Sequence, residues 1–430
     1  MIQAYIPAAG WSVARKILFR LSFLFFTLYI FLNPNGFLPY SEDVHEIYIQ
    51  PFHKLIPWIG AHILRLSYPI TTFTNGSGDT TYDWVVLLLI VSLALVGCMV
   101  WSLIDRRRLH YNTLLYWLNV IARYYLALTL INYGMAKLDK SQFPFPSTYT
   151  LLESYGNSSP MRLAWTFLGY SKGYNYFMGF AELTAGMLLL FRRTIRVGAI
   201  VALVVTANVM AINYCFDVCV KQLSTILVIM SIFLLLQGWE HHLNFFFLNR
   251  EVRPESLTRP TFRRRWINRA LAVTKYVFII GVIGYTIYGA VGSSNQYGDN
   301  APKPLLYGVY NVQTFVRNED TLPPLMTDAR RWRRFIVTRY GRSGVQLMND
   351  SEQFYINKPD TMNRRIGLSG ILDTSLKADF AYTFYGKDQV LLAGRWMGDS
   401  VRMTLKGFDT DSLLLVQRGF HLINEQPFNR

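Results

Sequence analysis

Charge is in short supply in this sequence. Only 16% of its 430 residues are Asp, Glu, Lys or Arg, and acids are the scarcer kind, 27 against 43 Lys and Arg. Together with 51% hydrophobic residues and a mean hydropathy of +0.19, this argues against a single soluble enzyme. It points instead to a polytopic membrane protein with an attached soluble part. Cysteine is scarcer still, with three residues. That leaves no disulfide framework, no CxxCH haem site and no iron–sulfur spacing, and no glycine-rich dinucleotide motif occurs either. A small-residue cleavage pattern is lacking too: the first apolar run, LSFLFFTLYIFL, closes on Asn33-Pro34-Asn35-Gly36, a turn, so an uncleaved first helix is expected.

What is present is a series of apolar runs punctuated by arginine. After the first helix, residues 37 to 82 mix aromatics, prolines, His45, His53 and His62. The part from Val44 to Tyr68 suits an amphipathic helix lying at an interface. The His intervals do not bring all three onto one helical face, so no metal site is expected. Further spans are expected at 84 to 104, about 114 to 136, about 175 to 191, from there to Tyr214, at about 223 to 239 and at about 272 to 290. Arg106 to Arg108, then Arg192, Arg193 and Arg196, then Arg250, Arg253, Arg259, Arg263, Arg264, Arg265 and Arg269 fall at alternate ends of these runs. One orientation satisfies them all: amino terminus inside, about seven crossings, carboxyl terminus outside. The net charge of +16 therefore reads as orientation, and no nucleic-acid partner is expected.

Inside the apolar runs some ionisable and amide groups recur. Arg123 and Glu182 lie well within theirs, where an ionisable group costs at least about 2.5 kcal/mol unless it is paired or faces a polar cavity. They are expected to meet as a pair, with a catalytic or a purely structural role. Asn208 and Asn213 on the next helix, with Lys137, Asp217 and Lys221 near the outer boundary, would continue one polar seam, a substrate-binding pocket opening outward beneath the loop from 142 to 174. Ammonium donors beside a carboxylate there suit a quinone carbonyl, a lipid phosphate or a sulfur oxyanion; the alternative is that both lysines snorkel as anchors. In that loop Ser158-Ser159-Pro160 has the form of a helix start. Cys215 and Cys219 share a helical face at i and i+4 and form a redox candidate, although Cys-x-x-x-Cys is not the oxidoreductase spacing.

ARYYLALTLINYGMAKL, with Arg123, Gly134 and Lys137, and GFAELTAGMLLLFRRT, with Glu182 and Gly186, resemble the DoxX family of bacterial membrane proteins. So do QFPFPS, SSPMRLAWTFLGYS, ANVMAINYCFDVCVK and the ending RGFHLINEQPFNR, in the manner of the larger members from Bacteroidetes-type bacteria. The resemblance implies a four-helix core over about 114 to 240 and a proline at the position of Cys219, which sets the cysteine pair outside the family pattern. It also implies a link to thiosulfate:quinone oxidoreductase subunits and to membrane thiol and oxidative-stress systems, with quinone as the carrier left open.

After Gly292-Ser293-Ser294-Asn295 the chain changes character. YGVYNVQTFV, RRFIVTRY, GVQLMN, ADFAYTFYG, VLLAGRW, SVRMTLKGF and LLLVQRGFHLI are expected strands, with a hairpin at Gly398-Asp399. They suffice for one antiparallel barrel or sandwich outside the membrane. Arg418, His421 and Glu425 in the final segment are a combination able to do acid–base work, though strand alternation would part them.

The organisation expected is thus 1–110, two helices with an interfacial outer loop; 111–240, the four-helix core; 241–295, a basic inner loop and the seventh span; and 296–430, the β-rich domain. Two functions fit: a quinone-linked redox or sulfur/thiol-metabolism subunit of the inner membrane, or a non-catalytic envelope scaffold whose outer β-domain binds a partner protein or lipid.

Overall fold

The computed structural model describes residues 10–72, 78–251, 264–371, 373, 375–386, 388–426 and 428–429. The expected inner-loop arginines Arg253, Arg259 and Arg263 lie outside the described residues. The chain divides into two units, Met1–Gln142 with Lys172–Gly292, and Phe143–Ser171 with Ser293–Arg430.

The first unit is helical. Its elements are α1 (Val13–Leu32), α2 (Ser41–His62), α3 (Thr81–Ile104), α4 (Asn112–Leu138), then α6 (Lys172–Leu190) after α5 (Pro160–Tyr170) of the other unit. They continue with α7 (Ile195–Cys215), α8 (Lys221–Leu236), α9 (Trp239–Phe246) and α10 (Arg265–Tyr297). A helix stands at each of the seven expected spans. Of these, α3, α4, α7 and α10 are long and apolar enough to cross a membrane, and α8 with α9 forms a further candidate broken by a 76° bend at Gly238. α1 carries Arg15, Lys16 and Arg20, and α6 carries Lys172 and Glu182, which dilutes their apolar character.

α4 packs along both α6 and α1, α7 along α6 and α8, and α1 along α3. At the first end of α1 a buried knot ties three helices. Arg20 donates to Tyr111 Oη at 2.7 Å, Ser102 Oγ at 2.9 Å and the Asp105 carbonyl at 2.9 Å, while Tyr111 donates to Asp105 at 2.9 Å. Five donors on one planar guanidinium allow a single buried cation to satisfy all these acceptors. The three histidines go to separate partners: His45 Nε2 to the Leu32 carbonyl, His53 against Tyr82, and His62 stacked on Trp58.

The second unit is an antiparallel barrel. Its strands are β1 (Gly308–Arg317), β2 (Asp320–Thr321), β3 (Trp332–Val337), β4 (Arg342–Leu347), β5 (Glu352–Asp360), β6 (Arg365–Gly370), β7 (Lys377–Tyr385), β8 (Gln389–Trp396) and β9 (Asp399–Phe408). From β3 onward each strand pairs with the next, β1 pairs with β3, and β1 also pairs with β9 from Val309↔Phe408 to Arg317↔Val401. The pairing closes an eight-stranded up-and-down barrel, with β2 a two-residue flap on β1. The hairpin expected at Gly398-Asp399 turns one residue earlier. Met397 (φ 53°) and Gly398 (φ 91°) are the central residues, and both positive φ values match the right-handed twist of β8 and β9.

Aromatic side chains fill the barrel. Trp332, Phe335, Phe315, Phe380, Tyr355 and Trp396 are all buried, with Trp332 edge-on to Trp396 at 5.4 Å and Trp396 Nε1 donating to Tyr355 Oη at 3.1 Å. Arg331 plugs one end, donating to the carbonyls of Leu322, Trp332, Val312 and Gln313, and burial lowers its pKa. The expected helix start at Ser159 is present: its Oγ accepts from Arg162 N at 3.2 Å, with Pro160 in the first turn of α5. The segment 143–171 is fastened within this unit by Phe145 N to Asp299, at 2.8 Å, and by the Tyr149 hydroxyl to Glu352. Burial, and then that bond, push the Tyr149 hydroxyl well above its ordinary range.

One expected strand is a helix. LLLVQRGFHLI contains α11 (Leu414–Gln417) and then irregular chain. Both sides of β1 are already taken, by β3 and β9, so a further strand would have no free edge to pair with. Arg418 there lies over Phe428 and bonds Asn424, while His421 bonds the Gly419 carbonyl. The acid–base combination is therefore not assembled.

Candidate functional site

Two glycine contacts set the register of α4 against α6. A Cβ on Gly134 would come within 2.9 Å of the Gly179 carbonyl, and one on Gly186 within 2.6 Å of the Ala127 carbonyl. Seven residues down one helix match seven up the other, so the two run antiparallel with backbones nearly touching, the small-residue packing that lets helices approach closely. In this register Glu182 lies at about the level of Ile131.

That register decides which cation reaches Glu182. Helical side chains lean toward the amino terminus of their own helix. Glu182 therefore leans toward the last turn of α4, and Lys137 leans back to meet it, with Nζ 2.9 Å from Oε1 and 2.7 Å from Oε2. Both side chains are buried, and Gln142 Oε1 accepts a further bond from Nζ at 3.0 Å. Arg123 leans the same way along α4 as Lys137 but starts on the amino-terminal side of the Glu182 level, so it points away, and the expected Arg123–Glu182 pair is replaced by Lys137–Glu182. At about 1.5 Å per residue, Arg123 and Lys137 are separated by roughly 21 Å along α4.

Arg123 instead lines a cavity of about 1200 Å³ between α4, α6 and α10. Its guanidinium lies 5.0 Å over the Tyr124 ring, and Arg192 lies 5.7 Å over Tyr116. Arg193 and Lys275 line the same space, which apolar side chains including Leu183, Met187 and Phe278 complete.

The remaining seam residues gather around the loop between α7 and α8. Asn213 is buried and donates to the Val220 carbonyl at 3.2 Å; Asp217 (φ 52°) accepts from Lys221 Nζ at 2.8 Å. Asp79, which sequence reasoning missed, caps α8 by accepting from Lys221 N at 2.6 Å and Gln222 N at 2.9 Å. Its neighbour Gly78 donates to the Cys219 carbonyl at 2.8 Å. The Gly78-Asp79-Thr80 run preceding an apolar helix was the available signal: a short acid in a turn beside a helix start. Asn208 faces outward from α7 and joins none of these groups. Cys215 and Cys219 are free thiols, the first exposed and the second half-buried. Six of the seven seam residues thus fall into three places, an ion pair between helices, a basic cavity and a fastened loop, and Asn208 into none of them.

Fold and geometry define the class: an apolar helical bundle, tied internally by buried polar bonds, fused to a packed β-barrel. The chain belongs to the family of the Uncharacterized protein YwoB of Bacillus subtilis (strain 168), to which it is 42% identical over 113 residues, covering 26% of this chain and 71% of that protein. No family model and no solved structure matches the chain.

Proposed function

We propose that the protein is a non-catalytic envelope scaffold. In this reading seven helices, α1, α3, α4, α6, α7, α8 and α10, anchor it in a bacterial inner membrane, with the amino terminus inside. The barrel then stands on the outer side and binds a partner protein or lipid through its exterior. The observation that carries the reading is that five of the seven seam residues, all but Arg123 and Asn208, are engaged in holding the fold. Both Glu182 oxygens accept from Lys137, Asn213 holds Val220, and Asp217 holds Lys221. The aromatic filling of the barrel supports a role for its outer surface. Orientation is supported by Arg106 to Arg108 after α3, Arg192 and Arg193 after α6, and Arg264 and Arg265 at the start of α10, all at ends that the proposed topology assigns to the cytoplasm.

Reporter fusions after Arg108 and Arg265 are expected to be active only as cytoplasmic reporters, and a fusion after Arg430 only outside; a cytoplasmic carboxyl terminus overturns the topology. Purified protein is expected to carry no stoichiometric quinone and to show no reversible Cys215–Cys219 couple in a thiol-labelling redox titration. Finding either would overturn the scaffold in favour of the quinone-linked or thiol-linked redox subunit.

A further inference from the structure

The cavity between α4, α6 and α10 has a composition that the packing of helices does not require. Arg123, Arg192, Arg193 and Lys275 line it, and among the described lining residues there is no Asp or Glu. Arg123 is only 6% exposed, and its Nε has no hydrogen-bond partner among the described residues. The rings of Tyr124 and Tyr116 beneath Arg123 and Arg192 offset part of the burial of positive charge through their negative faces. The Tyr124 hydroxyl gives the guanidinium one acceptor, and the Nε donor left over in a buried place calls for an anion that offers more. Apolar side chains, Leu183, Met187, Leu188 and Phe278 among them, line the same space, Phe278 against the Tyr124 ring at 6.0 Å. A lining that combines cations with apolar side chains matches an amphiphile rather than a small soluble anion.

We propose that this cavity binds the phosphoryl headgroup of an anionic phospholipid, with Arg123 and Arg192 donating to phosphate oxygens and an acyl chain lying along Leu183, Met187, Leu188 and Phe278. The inference rests on the membrane reading above. In that orientation the start of α4, the end of α6 and the first turns of α10 all lie at the cytoplasmic leaflet, where anionic lipids meet basic pockets between helices. The bundle then has a lipid as a structural element.

The full chain, purified in a non-ionic detergent, can be titrated with phosphatidylglycerol or phosphatidylcholine and read by native mass spectrometry. Phosphatidylglycerol is expected to be retained and phosphatidylcholine not, and Arg123→Gln is expected to weaken retention about tenfold, the value of one charge-assisted bond. The double change Arg192→Gln with Arg193→Gln, at exposed positions, should weaken retention similarly and serves if Arg123→Gln does not fold. Equal retention of the two lipids, or retention indifferent to these variants, overturns the proposal. Displacement of phosphatidylglycerol by inorganic phosphate alone would identify a soluble anion as the occupant and overturn the lipid assignment. Failure of the membrane reading would show separately, as recovery of the intact chain without detergent.

Discussion

The two units sort the same kinds of residue in opposite directions. In the helical unit Arg20, Lys137, Glu182 and Asn213 are buried, while Met99, Leu103, Phe177 and Ile280 are exposed. In the barrel Trp332, Phe335, Phe380 and Leu392 are buried, and Arg342, Lys358, Arg402 and Lys406 face outward. An apolar residue gains by burial only when its alternative is water. In the membrane reading proposed above, the alternative for the helical unit is lipid tails, and the backbone approach of small residues and internal polar bonds do the holding. The difference teaches that the helical unit is held by a few specific contacts and the barrel by a filled interior, and each kind of hold fails in its own way.

The largest effect is expected at the buried ion pair. Lys137→Met or Glu182→Leu alone should destabilise the helical unit by about 3–5 kcal/mol, and the two together should recover much of that, because only the single changes leave a charge unpaired. Thermal unfolding in detergent measures it; additive single effects would show that the pair is not a unit. In the barrel Trp332→Ala should cost a similar 3–5 kcal/mol, here by a cavity rather than a charge. No second substitution at Arg331 or Trp396 should rescue it, and rescue would blur the contrast. Gly186→Leu should cost about 1–3 kcal/mol by forcing α6 away from the Ala127 carbonyl, whereas Gly281→Ala on α10, which has open space around it, should be nearly neutral in the same assay.

The smallest effect concerns Asp399 beside the β8–β9 turn. Bonds from Asn318 and then from Arg317 hold its carboxyl below the usual range near 3.9. A depressed folded pKa contributes stability that is present above the unfolded value and is lost as pH falls through the folded one. The protection factors of the turn amides, taken against their intrinsic exchange rates at each pH, should therefore fall as the pH is taken below about 4, and Asp399→Asn should remove that acid step. The exposure of the site keeps the change local.

Much of this architecture could be read from residue patterns. The apolar runs located seven helices because their length and composition leave few alternatives, and alternation in SVRMTLKGF located β9. β5 and β6 were missed: Pro359 and the inward Asn357 interrupt alternation in one, and the other is short with Gly at two positions. LLLVQ read as a strand because local propensity does not record that the barrel has already closed. Glu182 was recognised as needing a partner, but choosing Lys137 over Arg123 required the direction in which a helical side chain leans and the glycine contacts that fix the register of α4 and α6. Gly134, Gly179 and Gly186, spaced along those helices, were the visible part of that signal.

Closure of the barrel carries a consequence for timing. β1 finds one of its neighbours, β9, only about ninety residues downstream, with Val309 waiting for Phe408 and Arg317 for Val401. Strands delivered one at a time can add hairpins in order, yet the first keeps an open side until the last arrives, and such distant pairing is the slow step of a β-fold. Until then the exposed edge of β1 is the place where another chain could bind. A chaperone or partner acting on this protein before the barrel closes would find its opening there, and would lose it when β9 docks.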